Sequence, residues 1–131
     1  MNHDYIQLAQ QAAQHAHSPY SHCKVGAAIV TQSGKVFTGC NIENASYGAT
    51  VCAERVAIWK AVSEIGKITI KEIYVATEQG WPPCGQCRQV MAEFSTPDTQ
   101  IHLCTKTGIK KTYLFDELQP EAFSSDYLLK K

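Results

Sequence analysis

Two stretches of the chain decide its fold, Val51-Cys52-Ala53-Glu54-Arg55 and Pro83-Cys84-Gly85-Gln86-Cys87-Arg88. Each stands directly before a segment whose apolar residues recur at helical spacing. The segment between them, residues 70–77, is rich in Ile and Val and predicts a strand. The sequence therefore predicts two helices that begin at cysteine-bearing motifs, with a strand between them.

The spacing of the motif residues brings their side chains to one point. Cys84 and Cys87 are three positions apart, so they share one face of the first turn of a helix. Cys52 and Glu54 are two positions apart, which corresponds to a rotation of about 200° around the helix axis, so their side chains leave on opposite sides. The two side chains can therefore approach one ion only if it lies beyond the N-terminal end of the helix. We therefore expect both helix N-termini to face a single metal ion.

Three thiolates beside a carboxylate suit a catalytic zinc ion. Cys52, Cys84 and Cys87 leave the fourth position of a tetrahedral zinc ion open for water, whereas a structural zinc ion has four protein ligands. Glu54 is then the candidate acid and base that moves the protons of that water. A ligand-x-Glu motif followed by Pro-Cys-x-x-Cys is typical of zinc-dependent nucleobase deaminases.

Two arginines directly follow residues of the predicted site. Three thiolates around Zn²⁺ carry an excess negative charge, which makes the ion a weaker Lewis acid. We expect Arg55, Arg88 or both to donate a hydrogen bond to a ligating sulfur and so to withdraw charge from the metal.

Two other interpretations of these cysteines stay open at this point. Cys84-x-x-Cys87 between a strand and a helix also fits a thioredoxin-like redox pair, although this leaves Cys52 and Glu54 without a role. A structural zinc site, in a binding module rather than an enzyme, needs a fourth protein ligand. The candidates for that ligand are Cys23, Cys40, Cys104, His22 and His102.

The rest of the chain predicts a layered α/β fold. Apolar periodicity predicts a helix over residues 4–16. Strand–helix–strand units favour parallel pairing, and an early hairpin adds an antiparallel pair, so we expect a mixed sheet covered by helices. The other predicted elements are strands at 25–31, 35–42, 101–104 and 111–115, a loop at 45–50 and a helical turn within 121–129.

Composition and charge exclude several classes of protein. A length of 131 residues with 44% hydrophobic content predicts one domain over residues 1–131. Twelve basic and twelve acidic residues cancel, which argues against a nucleic-acid partner. Residues 1–7 lack the features of a signal peptide, and no apolar run is long enough to span a membrane. We therefore expect a cytoplasmic protein with no membrane partner, whose remaining cysteines are buried thiols.

Both motifs lie inside a longer pattern that runs in order over nearly the whole chain. Together the segments resemble cytidine deaminase of the small, homotetrameric type. They are Val25-Gly26-Ala27-Ala28, Gly39-Cys40-Asn41-Ile42-Glu43-Asn44-Ala45-Ser46-Tyr47-Gly48, residues 51–55, residues 83–89 and Leu118-Gln119-Pro120-Glu121-Ala122-Phe123.

This resemblance implies a fold, a reaction and a metal. The fold is a three-layer α/β/α arrangement around a five-stranded mixed sheet. The reaction is the hydrolysis of cytidine or deoxycytidine to uridine or deoxyuridine and ammonia, as in pyrimidine salvage. Cys52, Cys84 and Cys87 match the ligands of one zinc ion per subunit, Glu54 matches the proton shuttle, and Arg55 matches the arginine that compensates the thiolate charge.

The resemblance also implies substrate-binding residues. Asn41 and Glu43 match the residues that bind the ribose hydroxyls, and Ala53 lies at a further position of the substrate pocket. Tyr47 and Phe123, with Ala45, fall in segments that complete the active site of a neighbouring subunit in the homotetramer.

The chain departs from the family pattern at the nucleoside pocket. Cys23-Lys24 stands where the family usually has Phe-Pro, which removes an aromatic contact with the substrate. The loop at 78–82 is shorter than usual and carries Trp81, and Gln86 replaces a small residue. These differences leave open a modified cytidine, or an aminonucleoside antibiotic such as blasticidin S, as the substrate.

Overall fold

A five-stranded sheet lies at the centre of the computed structural model, which describes residues 2–129. The order across the sheet is β2-β1-β3-β4-β5, and β3 and β4 run parallel while the other neighbouring pairs are antiparallel. The predicted hairpin and the predicted mixed sheet are thus confirmed. The strands are β1 (Gly26–Thr31), β2 (Val36–Cys40), β3 (Ile70–Ala76), β4 (Ser95–Thr105) and β5 (Gly108–Leu114).

Helices cover both faces of this sheet. The first helix packs on one face, and the second, third and fourth pack on the other, which confirms the three layers. In the part of the chain from 2 to 129, every helix is too short or too polar to cross a lipid bilayer. The helices are α1 (Asn2–Ala13), α2 (Ala53–Ile65), α3 (Gly85–Phe94), α4 (Phe115–Leu118) and α5 (Ser125–Leu129), and a 3₁₀ turn spans Tyr47–Ala49.

Strand β1 shows why the sheet needs two covering layers. All six of its residues are buried. Ala27 and Ile29 belong to the cluster under α2 and α3, whereas Ala28 and Val30 pack under α1. Alternate side chains of a strand point to opposite faces, so an unbroken apolar run is stable only where both faces are covered.

The chain path brings the N-termini of α2 and α3 to the same end of the sheet. Helix α3 follows β3 within the parallel β3–α3–β4 crossover, so it begins at the carboxyl end of β3. Just before α2, Ile42 and Val51 exchange two backbone hydrogen bonds of 3.0 Å. This bridge holds the start of α2 beside the end of β2, and both motifs therefore reach one edge of the sheet.

Strand β2 also approaches α2 very closely. A Cβ atom added to Gly39 would lie 2.6 Å from the backbone nitrogen of Ala57 and 2.7 Å from the carbonyl oxygen of Ala53. Because these atoms belong to backbone, only glycine allows this separation. The close approach fixes the height of α2 above the sheet.

The structure differs from the sequence prediction at the C-terminal strands. β4 begins at Ser95 rather than at residue 101, because a register shift after Ile70 lets the polar start of the strand pair with β3. There the Thr99 hydroxyl donates a 2.6 Å hydrogen bond to the Ile70 carbonyl. The sequence also did not predict α4, a single turn whose Glu117 carboxylate accepts the Leu114 N–H at 2.8 Å.

A network of polar side chains lies beneath α1, away from both motifs. Glu72 accepts a hydrogen bond of 2.8 Å from the Tyr74 hydroxyl and lies 3.0 Å from His102 Nε2. The other ring nitrogen, His102 Nδ1, lies 2.8 Å from the Thr112 hydroxyl. The groups satisfy one another, so this buried histidine has a structural partner on each side.

Replacing Gly26 with alanine tests how closely α1 packs on β1. The added Cβ would lie 1.8 Å from the Ala9 carbonyl oxygen and 2.6 Å from the Ala13 nitrogen, so α1 must move. We expect Gly26→Ala to lower the free energy of unfolding by about 3 kcal/mol in urea denaturation. Gly48→Ala is the control, since no heavy atom lies within 4 Å of its Cβ position. Equal stability of the two variants would contradict this packing.

Candidate active site

Three cysteine sulfurs meet where α2 and α3 begin. Cys52 is the residue directly before α2, Cys84 directly precedes α3, and Cys87 is buried in the first turn of α3. The Sγ atom of Cys84 lies 3.9 Å from that of Cys52 and 3.6 Å from that of Cys87. All three sulfurs lie within 4.8 Å of one another.

These distances fit a tetrahedral zinc ion. With Zn–S bonds of about 2.3 Å, tetrahedral angles place two sulfur ligands about 3.8 Å apart. Among the residues that the structure describes, no fourth Cys, His, Asp or Glu joins this cluster. The three thiolates of Cys52, Cys84 and Cys87 therefore can hold zinc with one position left for water, and they do not form the four-ligand structural site.

The cluster concentrates negative charge that a cation would neutralise. Hydrogen bonding from Cys87 lowers the pKa of Cys52 to about 5. The hydrogen bond with Cys52, together with burial, raises the pKa of Cys87. Two adjacent thiolates repel each other, and a divalent ion removes this conflict by binding both thiols in the deprotonated form.

Arg55 lies against the cluster from one side. Its Nη2 atom is 3.6 Å from Cys52 Sγ, and its guanidinium carbon lies 5.8 Å from the centre of the Trp59 ring one helical turn later. Its Nε atom is buried without a hydrogen-bond partner among the described residues. The positive charge is therefore held close to a ligating sulfur, in the position that the sequence analysis expected for one of the two arginines.

Arg88 is oriented differently. Its Nε donates to the carbonyl oxygen of Pro83 at 2.9 Å, and its Nη1 donates to the carbonyl oxygen of Leu118 at 2.8 Å. These bonds replace the contact with a ligating sulfur that the sequence analysis considered for Arg88. The side chain instead ties the start of α3 to the last residue of α4, and so it orients the Cys84 motif through the backbone.

Glu54 lies buried beside the sulfurs, with only 3% of its surface exposed. Burial raises the pKa of this carboxyl group to about 7. A carboxyl group with a pKa near neutrality can both accept and return a proton at physiological pH. The geometry therefore supplies a proton carrier within the same pocket as the candidate metal ligands.

A cavity of about 260 Å³ holds these groups together. Drug-sized ligands occupy cavities of about 300–1,000 Å³, so this one suits a ligand of nucleoside size or smaller. Of the predicted site residues, those that line the cavity are Asn41, Glu43, Cys52, Ala53, Glu54 and Cys84. Cys87 belongs to the sulfur cluster but does not line the cavity.

Asn41 also organises the neighbouring loop. Its Oδ1 accepts the Val25 N–H at 2.9 Å, and its Nδ2 donates to the Cys23 carbonyl at 2.8 Å. Each end of the amide retains capacity for one further hydrogen bond, since the oxygen has two lone pairs and the nitrogen two hydrogens. Asn41 can thus bind a hydroxyl group while it holds the loop in place.

Glu43, like Asn41, both lines the cavity and holds the neighbouring loop by hydrogen bonds. Its carboxylate accepts a hydrogen bond from the Ser21 hydroxyl and two more from the backbone N–H groups of Tyr20 and Ser21, at 3.0 and 3.2 Å. The Ser21 hydroxyl bond is the main reason why the pKa of Glu43 lies below its usual range. Glu43 is therefore an ionised acceptor at neutral pH, fixed in orientation at the rim of the cavity.

The other predicted substrate residues lie outside this cavity. Cys23 is partly buried and lines an adjoining, larger cavity. Tyr47 and Phe123 are 76% and 54% exposed, and Ala45 is exposed in the same loop as Tyr47. Within the described residues, Tyr47 and Phe123 do not reach the metal cluster or line its cavity.

Several cavity residues were not identified from the sequence. Thr77 follows β3 directly, at the carboxyl end of a parallel strand, which is where such sheets place their ligands. Val25, Thr50 and Val51 line the same cavity, but as small or aliphatic residues they carry no recognisable chemical signal. Topology could have indicated Thr77, whereas the other three required the coordinates.

Comparison with known proteins agrees with this site. The family model of the cytidine and deoxycytidylate deaminase zinc-binding region matches residues 1–103. A cytidine deaminase of Halalkalibacterium halodurans is 46% identical, with 92% of each chain covered. A probable cytidine deaminase of Dictyostelium discoideum is 45% identical over 96% of this chain and 86% of that protein.

A solved structure agrees as well. The crystal structure of cytidine deaminase from Burkholderia pseudomallei superposes with a TM-score of 0.88 and 42% identity, covering 94% of this chain and 99% of that one. The match extends over all three layers and both cysteine motifs rather than over the metal region alone. With its three sulfurs and buried carboxyl group, the chain therefore belongs to the zinc-binding cytidine and deoxycytidylate deaminase family.

Proposed function

We propose that this protein hydrolyses cytidine and deoxycytidine to uridine and deoxyuridine with release of ammonia, a reaction of pyrimidine salvage. The observation that carries the proposal is the buried Glu54 in one cavity with a three-sulfur cluster that leaves a fourth metal position open. The named relatives support it, since the proteins from Halalkalibacterium halodurans and Burkholderia pseudomallei are both cytidine deaminases.

Glu54 performs the proton transfers of this reaction. A zinc ion held by Cys52, Cys84 and Cys87 would supply Lewis acidity, which lowers the pKa of a bound water toward neutrality. Glu54 accepts a proton from the attacking water and delivers it to N3 of the pyrimidine. It then accepts the proton of the new C4 hydroxyl group and delivers it to the amino nitrogen, so that the C4–N bond breaks, the C4 carbonyl forms and ammonia leaves. Proton transfer of this kind contributes about 10²–10⁴-fold to a rate.

The remaining residues orient the substrate and balance charge. Asn41 and Glu43 bind the ribose hydroxyls with the hydrogen-bonding capacity that the loop leaves free. Ala53, fully buried at the start of α2, offers a backbone N–H without a side chain that would obstruct the base. Arg55 offsets the charge of the thiolates through its contact with Cys52.

A second candidate substrate class is a modified cytidine or an aminonucleoside antibiotic such as blasticidin S. The observation that favours it is Cys23, a short side chain at a wall where the family usually has an aromatic one, beside an adjoining cavity of about 810 Å³. The orientation of Asn41 and Glu43 still favours a substrate with sugar hydroxyls, because an unpaired polar group would penalise a substrate without them.

We further propose that four copies associate and complete one another's sites. Large apolar side chains are exposed along the segments at 42–47 and 123–129, which a stable monomer rarely leaves uncovered. Phe123 stacks on Tyr127 at 5.7 Å, and its carbonyl accepts a 3.0 Å bond from Gln89, so the segment is already ordered for contact.

We also propose that the protein is a single domain that acts in the cytoplasm. The three cysteines must remain reduced to bind metal, and the cytoplasm keeps thiols reduced.

An ammonia-release assay over cytidine, deoxycytidine, cytosine and blasticidin S tests the substrate. We expect the two nucleosides to be deaminated fastest, and cytosine to react poorly because it lacks the ribose that Asn41 and Glu43 bind. Zinc content measured in parallel should be about one ion per chain. Turnover of blasticidin S in preference to cytidine would favour the second class, and no turnover of any of them would contradict the proposal.

Glu54→Gln tests the proton carrier. The amide keeps the size of the side chain but cannot accept a proton, so we expect zinc content to be unchanged and kcat for cytidine to fall by at least about 10²-fold. Glu64→Gln, on the exposed end of the same helix, is the matched control and should keep full activity. A zinc-loaded Glu54→Gln variant with normal turnover would exclude the shuttle.

Co-expression of two inactive variants tests the shared site. Glu54→Gln removes the proton carrier, and Phe123→Ala removes the aromatic group that we assign to a neighbour's site. In mixed oligomers, some sites combine an intact Glu54 with an intact Phe123 from the adjacent chain, so activity should exceed that of either variant alone. Sedimentation should show tetramers. If Phe123→Ala alone is fully active, or mixing restores nothing, the neighbour does not complete the site.

A further inference from the structure

A second, larger cavity adjoins the one that contains the metal ligands. Its volume is about 810 Å³, and it shares Val25, Thr77 and Trp81 with the smaller cavity. Its other walls come from the end of α1, the loop at residues 22–24 and the turn between β4 and β5. A nucleoside that fills the smaller cavity does not need this space, so the space is available to an extension of the substrate.

The loop at residues 22–24 leaves the passage open and is firmly held. Cys23 presents a short side chain to the larger cavity. Its N–H donates to the Ser21 hydroxyl at 3.1 Å, and its carbonyl accepts from Asn41 at 2.8 Å. The loop is thus held in place by hydrogen bonds, and the small side chain of Cys23 leaves the space between the two cavities open.

Trp81 forms the partition between the two cavities. Its backbone N–H donates to the Thr77 hydroxyl at 2.8 Å, and its indole Nε1 donates to the Gln79 side chain at 3.0 Å. The Gln79 carbonyl in turn accepts a 3.0 Å bond from Lys110 Nζ on β5. Because both its backbone N–H and its indole nitrogen are hydrogen-bonded, the position of the tryptophan between the two cavities is fixed.

The chemistry of the base shows which edge faces this partition. In the proposed function, on which this inference rests, Glu54 on α2 protonates N3. N3 and C5 flank C4 on opposite edges of the pyrimidine ring, so an N3 edge turned toward α2 turns C5 away from it. The cavity walls away from α2 include Val25, Thr77 and Trp81, which are the residues shared with the larger cavity.

We propose that this protein deaminates cytidines that carry an extended polar substituent on C5, with the substituent lodged in the larger cavity. The reaction is unchanged: water adds at C4, the C4–N bond breaks, and ammonia leaves while the substituent stays intact. The walls favour a polar substituent because they carry amide and charged side chains. These are Gln10, Gln14, Lys24, Glu78, Gln79 and Lys106.

The test compares kcat/KM for cytidine, 5-methylcytidine and 5-(3-aminoallyl)cytidine in the zinc-loaded protein. We expect the aminoallyl nucleoside to react within about tenfold of cytidine. Gln14→Trp fills part of the larger cavity from the turn that follows α1 and should lower kcat/KM for the aminoallyl nucleoside by about tenfold or more relative to cytidine. Gln11→Trp is the matched control, because Gln11 is exposed on the last turn of α1, three residues earlier, and does not line the cavity.

The possible outcomes separate this inference from the proposed function. Normal cytidine turnover with an aminoallyl nucleoside more than about 100-fold poorer overturns the inference alone. So does a ratio of the two kcat/KM values, aminoallyl nucleoside to cytidine, that Gln14→Trp leaves unchanged. Unaltered cytidine kinetics in Gln14→Trp show that the variant folds. Failure of the wild-type protein to deaminate cytidine overturns the proposed function, and the inference with it.

Discussion

The structure depends on keeping concentrated negative charge at the starts of two helices. Cys52 and Cys84 directly precede α2 and α3, where unpaired backbone N–H groups carry partial positive charge. Thiolates are stable there, whereas in an apolar core they would protonate. The sheet brings both helix starts to one of its edges. The β3–α3–β4 crossover positions the start of α3, and the bridge between Ile42 and Val51 positions the start of α2.

Second roles of the same side chains keep the site rigid. Asn41 and Glu43, which we assign to the sugar, also hold the loop at residues 20–25 through its backbone. Arg88 similarly fixes the approach to α3 through two carbonyl groups. The sugar contacts that we propose and the position of the loop therefore depend on the same two side chains, and substituting Asn41 or Glu43 would alter both together. Such coupling makes the effects of these residues non-additive.

Much of the architecture could be predicted because the pattern was local. The helical spacing after Cys52 and Cys84 and the turn between β1 and β2 depend on neighbours in sequence, and these elements were found. The start of β4 was missed because its polar residues, such as Thr99, are stabilised by β3 rather than by an apolar pattern of their own. The short α4 was missed for a related reason, since one turn is too short to show periodicity.

The candidate site also has residues that the sequence could identify and residues that only the coordinates reveal. The ligands and Glu54 stand at fixed spacings within two motifs, so sequence alone could identify them. The cavity walls come from segments distant in sequence, and neither the contact of Thr77 with Trp81 nor the bonds of Arg88 to carbonyl groups leave a signature there. Whether an arginine beside a motif faces sulfur or backbone depends on side-chain direction, which only coordinates provide.

The glycine of β2 has a consequence for where Cys52 and Glu54 are placed. At Gly39 the strand and the backbone of α2 are nearly in contact, and the Ala53 carbonyl that limits the gap belongs to the residue between Cys52 and Glu54. Any side chain at position 39 would act as a wedge, lifting the metal ligand and the carboxyl group as one body away from the rest of the cluster. A residue with no side chain and no chemistry of its own therefore sets how far the Glu54 carboxyl group stands from the three sulfurs.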